Sequence, residues 1–269
     1  MLRRRGCADS GSAESYLWAM PIRAVVFDLF DTLVDLSMEE LPRAIVRGRE
    51  FPSTLGPLHE AVLGHSELSL DDFATVLVEV DREHRVSRYD KFREFPTIER
   101  FEIVCEKLGL SHPALPGVLT EVHMGLLRDC ASLPAHHPEV LGELHRRVPL
   151  ALCSNFSDSA TALGLLDEYG ISPHLDVVVI SEDVGVRKPA SAIFEVVLDR
   201  LGVDASETLH VGDNLEADVG GGSGAGMRTG WLTRRVKSPR NDMESYEGAP
   251  PTYEMEDISE IVDLLEAGT

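Results

Sequence analysis

Five short apolar runs constrain this chain more than any other feature: residues 22–27, 149–153, 175–180, 208–211 and 227–232. Each is rich in β-branched residues and too short for a buried helix, so each reads as a buried strand. Helical patterns separate the later ones, over 158–169, 190–201 and 215–225. Strands alternating with helices build a parallel sheet covered on both faces, so the expected core is a Rossmann-like, doubly wound α/β sheet. Ligands of such sheets bind beyond the carboxyl ends of the strands, which makes the residues after each run the candidates for chemistry.

Residues 36–133 follow a different rule. Ser69-Leu70-Asp71-Asp72-Phe73 reads as a capped helix start, followed by a 3.6-residue period through Val86. Residues 97–108 and 114–130 are helical as well, with no strand between them. The block is expected to be an all-helical cap domain inserted into a core of residues 21–35 and 134–269. Residues 1–20 are expected to be a disordered extension, because Met20-Pro21 precedes the first strand and the basic start lacks the apolar stretch of a secretory signal. Residues 238–252 read as a surface loop before a last helix at 257–266.

A formal net charge of -21 argues against nucleic acid as a partner, since phosphate backbones demand clustered Lys and Arg. The four cysteines form no CxxC pair and suit reduced thiols. His136-His137 belongs to no HExxH, so spacing gives a structural zinc site no support. No apolar run approaches the ~20 residues of a membrane span. The expectation is a cytoplasmic protein acting on a small molecule, with neither nucleic acid nor membrane as partner.

Polar groups of complementary type follow four of the strands. Asp28 and Thr32 come after the first, Ser154-Asn155 after the second, Lys188-Pro189 beyond the third, and Asp213-Asn214 with Asp218 after the fourth. Each alone has an ordinary explanation: Asp closes turns, Ser-Asn caps helices, and a lysine before a helix is usually solvated. Together they supply a nucleophile, hydroxyl and amide donors, a cation and hard oxygen ligands. Displacement at a phosphoryl group needs that set.

With these residues in place the chain resembles the haloacid dehalogenase superfamily, in its branch with a helical cap after the first strand. The resemblance covers residues 21–265 and is most specific over Ser181-Glu182-Asp183-Val184-Gly185-Val186-Arg187-Lys188-Pro189 and His210-Val211-Gly212-Asp213-Asn214, with Ala225-Gly226-Met227 fitting too. It implies that Asp28 is the nucleophile and that Thr32 fixes its loop. Ser154 and the backbone amide of Asn155 would hold the transferring group, and Lys188 would offset charge. Mg2+ would be bound by Asp28, Asp213 and the carbonyl of Phe30, with Asp218 and Asn214 around it. The implied substrate is a small anion, a phosphorylated metabolite.

One position departs from the family's phosphatases. They carry a second Asp two residues after the nucleophile, as proton donor and base, and this chain has Phe30. Losing a positioned acid/base removes ~10²–10⁴ in rate. Asp31 is adjacent but one residue out of phase. Three readings stay open: a magnesium-dependent phosphohydrolase restricted to good leaving groups, a dehalogenase-like hydrolase whose halide needs no proton, or a binding or regulatory protein keeping the fold. Phe194 stands where such dehalogenases have Tyr, and Asp213 is a ligand they tend to lack. In the cap, Arg93 or Arg100 could face an anionic substrate, though ion pairing with a neighbouring Glu is the plainer role. Lys91 and Lys107 carry no Schiff-base signature, and Asp35 falls at the expected hinge.

Overall fold

The computed structural model describes residues 21–267 and the backbone of Arg3–Arg4, so most of the expected N-terminal extension lies outside the described residues. The chain divides into two units, one of Met1–Asp35, Leu133–Asn155 and Leu166–Thr269, the other of Leu36–Ser132 and Phe156–Leu165.

The first unit is built on one sheet. Its strands are β1 (Arg3–Arg4), β2 (Ala24–Phe27), β3 (Leu150–Ser154), β4 (Val177–Ile180), β5 (Thr208–Gly212), β6 (Arg228–Leu232) and β7 (Tyr253–Met255). They lie in the order β1-β7-β6-β5-β2-β3-β4, parallel except for β1 against β7. The four residues of β2 have no exposed surface, as expected of a central strand covered on both faces. Helix Ser191–Leu201 packs on β3 and β4, burying Ile193, Phe194 and Val197. Where a loop was expected over 238–252, a short helix forms at Pro239–Ser245, with proline in its first turn, where a missing N–H costs nothing. Strand β7 follows it and is too short for its alternation to be read. Helix His137–His145 was also unread; its counterpart Glu260–Ala267 packs beside it.

The second unit packs helices Leu55–Leu63, Leu70–Ser87, Thr97–Lys107 and Leu115–Asp129 around Leu58, Phe73, Val80, Phe101 and Leu119, all fully buried. Ser69 caps its helix as its sequence suggests, accepting from the Asp72 N–H at 3.2 Å. The unit is not wholly helical. A hairpin pairs Arg43–Val46 with Arg49–Pro52 through Arg47 (φ 49°) and Gly48 (φ 73°). Two successive positive φ values give the turn whose twist matches the strands, but Arg-Gly is a weaker signal for it than Asn-Gly. Residues 156–165, expected in the core, group with this unit because the Thr97 N–H donates to the Ser157 carbonyl at 2.9 Å and the two hydroxyls meet at 2.8 Å. Among the described residues no helix is long and apolar enough to cross a membrane.

Candidate active site

Sheet register decides which side chains meet. Phe27 pairs with Val211 on one side and Leu152 on the other, so Asp28, Gly212 and Cys153 form the next row, with Asp213 and Ser154 just beyond. The Asp28 N–H extends the ladder by donating to the Val211 carbonyl at 2.9 Å. From β2 the chain runs to β3 and β4 on one side and returns to β5 on the other, so its direction of travel switches at β2. Crevices open at such switch points.

Lys188 is the hub. Its Nζ lies 2.7 Å from Asp28 Oδ1 and 2.6 Å from Asp218 Oδ1, with 3% of the residue exposed. Asp218 makes two further contacts: His210 Nε2 lies 3.0 Å from Oδ1, and the Asn214 N–H donates to Oδ2 at 3.1 Å. Burial alone would raise the Asp218 carboxyl, but Lys188 and His210 hold it well below the usual range. Burial opposes the Lys188 charge too, yet Asp218 and Asp28 outweigh it and the ammonium stays protonated. Asp28 is pushed up, mainly by burial and also by Asp218, against the pull of Lys188.

Asp213 completes the arrangement. Asp28, Asp213 and Asp218 each offer a carboxylate oxygen, and the three atoms lie within 4.8 Å of one another. Burial first, then the charges of Asp28, Asp218 and Asp31, push the Asp213 carboxyl up to about 8. Such a group is short of positive charge. Magnesium takes hard oxygen ligands and usually one or two carboxylates, so this donor set fits it.

Two asparagines of the sequence reading turn out to position others. Asn155 clamps the lysine's backbone, its Nδ2 donating to the Lys188 carbonyl at 3.0 Å and its Oδ1 accepting the Lys188 N–H at 2.7 Å. Asn214 caps the turn that carries Asp218, accepting from the N–H groups of Glu216 at 3.0 Å and Ala217 at 2.8 Å. The Trp231 indole N–H donates to the Asp213 carbonyl at 2.8 Å and steadies that loop. Ser154 and Thr32 are buried, and the Thr32 hydroxyl has no hydrogen-bond partner.

The loop after Asp28 turns tightly. Leu33 and Val34 donate to the Leu29 carbonyl at 2.9 Å each, and Asp31 sits at φ 56°. That conformation sends the Asp31 carboxylate to Arg235, whose Nε lies 3.1 Å away. Phe30 is partly exposed. Asp35 forms a two-point ion pair with Arg234.

His210 was missed as a site residue, although a histidine inside an otherwise buried β run was a visible signal. Burial pushes its pKa down, and its Nε2 faces an ionised carboxylate, so Nε2 carries the proton. Cys153 beside Asp28 is no rival nucleophile: burial pushes its thiol up to about 12.

The second unit holds a cavity of about 570 Å³ lined by Arg82, Arg85 and Arg100 with Asp81, Tyr89, Phe95, Thr97, His123 and Ser157 among others. Arg100 grips Asp81 through two nitrogens at 2.6 and 2.5 Å, so its partner is an Asp rather than a neighbouring Glu. Arg93 does not line the cavity. Lys107 pairs with Glu83 and Glu79 and Lys91 is exposed, so neither has the desolvation that activates a Schiff-base lysine.

Residues 22–226 match the family of haloacid dehalogenase-like hydrolases. The chain is similar to pyrimidine 5'-nucleotidase YjjG of Escherichia coli, 33% identical over 168 residues that span 62% of this chain and 69% of that protein. It is also similar to glyceraldehyde 3-phosphate phosphatase of Methanopyrus kandleri, 28% identical over 256 residues, 91% of this chain and 97% of that one. Among solved structures, HAD-hydrolase YfnB of Bacillus subtilis bound to magnesium aligns with a TM-score of 0.58 at 24% identity over 91% of this chain and 99% of its own. The 2-haloacid dehalogenase of Pseudomonas syringae aligns with a TM-score of 0.64 at 19% identity over 92% and 100%. At those identities the structures speak to the fold alone. The family match runs through every strand end described above, and this chain belongs to the haloacid dehalogenase-like hydrolases.

Proposed function

We propose that this hydrolase is a magnesium-dependent phosphohydrolase that passes a phosphoryl group from a small phosphorylated metabolite to Asp28 and then to water. Charge balance carries the reading: three carboxylates within 4.8 Å face one ammonium, so with all three ionised two negative charges remain for a divalent cation to cancel. Several similar proteins are named as phosphatases or nucleotidases, which supports the same chemistry.

In this reading an Asp28 carboxylate oxygen attacks phosphorus, and the bond to the leaving oxygen breaks with its electron pair staying on that oxygen. Water then attacks the phosphorus of the acyl phosphate and frees the carboxylate. Lys188 offsets charge on Asp28 and on the phosphoryl oxygens, held in place by Asp218 and by the Asn155 clamp. Ser154 and the backbone amide of Asn155 donate to the transferring group, and Thr32 fixes the loop that carries Asp28. Mg2+, when bound, would be held by Asp28, Asp213 and the Phe30 carbonyl and would neutralise the equatorial oxygens. Phe30 cannot protonate the leaving oxygen, and Asp31 is taken by Arg235. Acyl phosphates and other good leaving groups are therefore the favoured substrates.

Phe30 also favours a second reading, since halide departs without a proton and the same carboxylate could displace it from carbon. Asp213 weighs against it, because that chemistry has no use for a buried metal-seeking carboxylate. The test is release of phosphate from an activated aryl phosphate. We expect release that needs magnesium and disappears in Asp28→Asn. Chloride release from 2-chloropropionate unaffected by EDTA would establish the second reading. Silence in both assays with magnesium still bound would leave a binding protein.

A further inference from the structure

The first unit carries a second group of metal-ligating side chains, apart from the aspartate cluster. We infer that His136, His137 and Asp257 form a site for a transition-metal dication of the zinc class. The three side chains each offer one ligand atom, and those atoms lie within 4.8 Å of one another.

His137 makes this more than a chance cluster. It has no exposed surface, and its Nδ1 lies 2.8 Å from the Leu33 carbonyl. A carbonyl oxygen only accepts, so Nδ1 carries the hydrogen and Nε2 keeps its lone pair. That buried Nε2 has no hydrogen-bond partner. Metal-bound histidines are commonly held this way, one nitrogen donating to a carbonyl while the other faces the ion. Burial lowers the His137 pKa, in keeping with a neutral ring ready to ligate.

The partners fit. The His136 ring stands edge-on to His137 with centroids 4.8 Å apart, and its Nε2 is 2.8 Å from Asp257 Oδ2. The Ser259 N–H fixes the other Asp257 oxygen at 2.9 Å. His136 is half-exposed, which leaves a route from solvent, room for its ring to turn, and a water for the fourth position. Two imidazoles and one carboxylate suit Zn2+, Co2+ or Ni2+ and are a poor set for Mg2+. Arg234 is the nearby cation that opposes a metal, and Asp35 already balances its charge. Sequence spacing could not reveal the group, because Asp257 lies 121 residues from His136. Through Leu33 an occupied site would tie the turn carrying Asp28 to the start of helix His137–His145 and to the segment before the last helix.

Cobalt reports the site directly. Untagged protein stripped with EDTA and held in excess Mg2+, which occupies the aspartate cluster, is titrated with Co2+ while visible absorption is followed. We expect one equivalent to give the intense d–d bands of a low-coordinate nitrogen-ligated ion, displaced by Zn2+. The bands should vanish in His136→Gln and in Asp257→Asn and persist in Asp213→Asn. Circular dichroism of the first two variants separates loss of a ligand from loss of fold, since neither residue is in the core. Absence of bands in the parent protein, their survival in His136→Gln and Asp257→Asn, or their loss in Asp213→Asn would each overturn the assignment.

Discussion

A Cβ built on Gly212 would stand 2.2 Å from the Cγ of Asp218. The strand can end at Gly212 and still admit the buried carboxylate that orients Lys188 only because no side chain is there. Gly212→Ala should force Asp218 aside, with overpacking costing about 1–3 kcal/mol. Misplacing the lysine by an ångström should lower turnover by about 10²-fold. Urea unfolding and steady-state hydrolysis measure the two effects, and parental values in both would show that the approach is not needed.

Asp218 should contribute to the acid limit of the first unit. Its folded pKa lies below the unfolded value of 3.8, so its stabilisation is present above about pH 4 and is lost as pH falls below that. Asp218→Asn removes one partner of a buried ion pair, for which about 3–5 kcal/mol is typical. Acid unfolding followed by circular dichroism should show a shallower decline below pH 4 in the variant, from a lower starting stability. An unchanged acid limb would assign that limit to other carboxylates.

Much of this was legible before any coordinates. The β-branched runs gave the strands, and strand ends in a parallel sheet gather at one edge, which brings Asp28, Lys188, Asp213 and Asp218 together. What was not legible depends on tertiary partners. Asn155 and Asn214 are ligand-like residue types, and only their neighbours reveal that one clamps the lysine backbone and the other caps a turn. The Arg43–Pro52 hairpin is too short for its alternation to outweigh the helical block around it, and Arg47-Gly48 is not the expected turn pair. Residues 156–165 continue from Ser154-Asn155 in sequence, and only the Thr97–Ser157 contacts move them to the other unit.

The Asp213 carboxyl predicts how magnesium should respond to pH. Without metal its pKa is raised to about 8 from 3.8, so between those values the folded chain holds a proton that the unfolded chain has lost. Stability of the metal-free protein should therefore fall as pH rises from about 4 to about 8 and level off beyond. Magnesium must displace that proton, so its apparent affinity should weaken about tenfold for each pH unit below 8. Calorimetric titration at pH 6, 7 and 8 measures the slope. Asp213→Asn should lose tight binding at every pH, and a flat profile in the parent would mean that Asp213 is not the group displaced.

Phe30 offers the sharpest chemical test. In the proposed reading Phe30, which is partly exposed, stands where a proton donor would serve the leaving oxygen, and the next carboxylate, Asp31, is turned to Arg235 at 3.1 Å. Phe30→Asp should raise turnover on alkyl phosphates, whose leaving oxygens need a proton, by up to about 10²–10⁴-fold. On acyl or nitroaryl phosphates, which leave as stable anions, the gain should be small. Asp31→Asn should change neither class by more than a few-fold, because a carboxylate held by a guanidinium is poorly placed to give or take a proton. The decisive quantity is the slope of log kcat/KM against leaving-group pKa: steep for the parent, shallow for Phe30→Asp, and unchanged from the parent for Asp31→Asn. A shallow slope already present in the parent and steepened by Asp31→Asn would make Asp31 the working acid and remove Phe30 from the account of specificity.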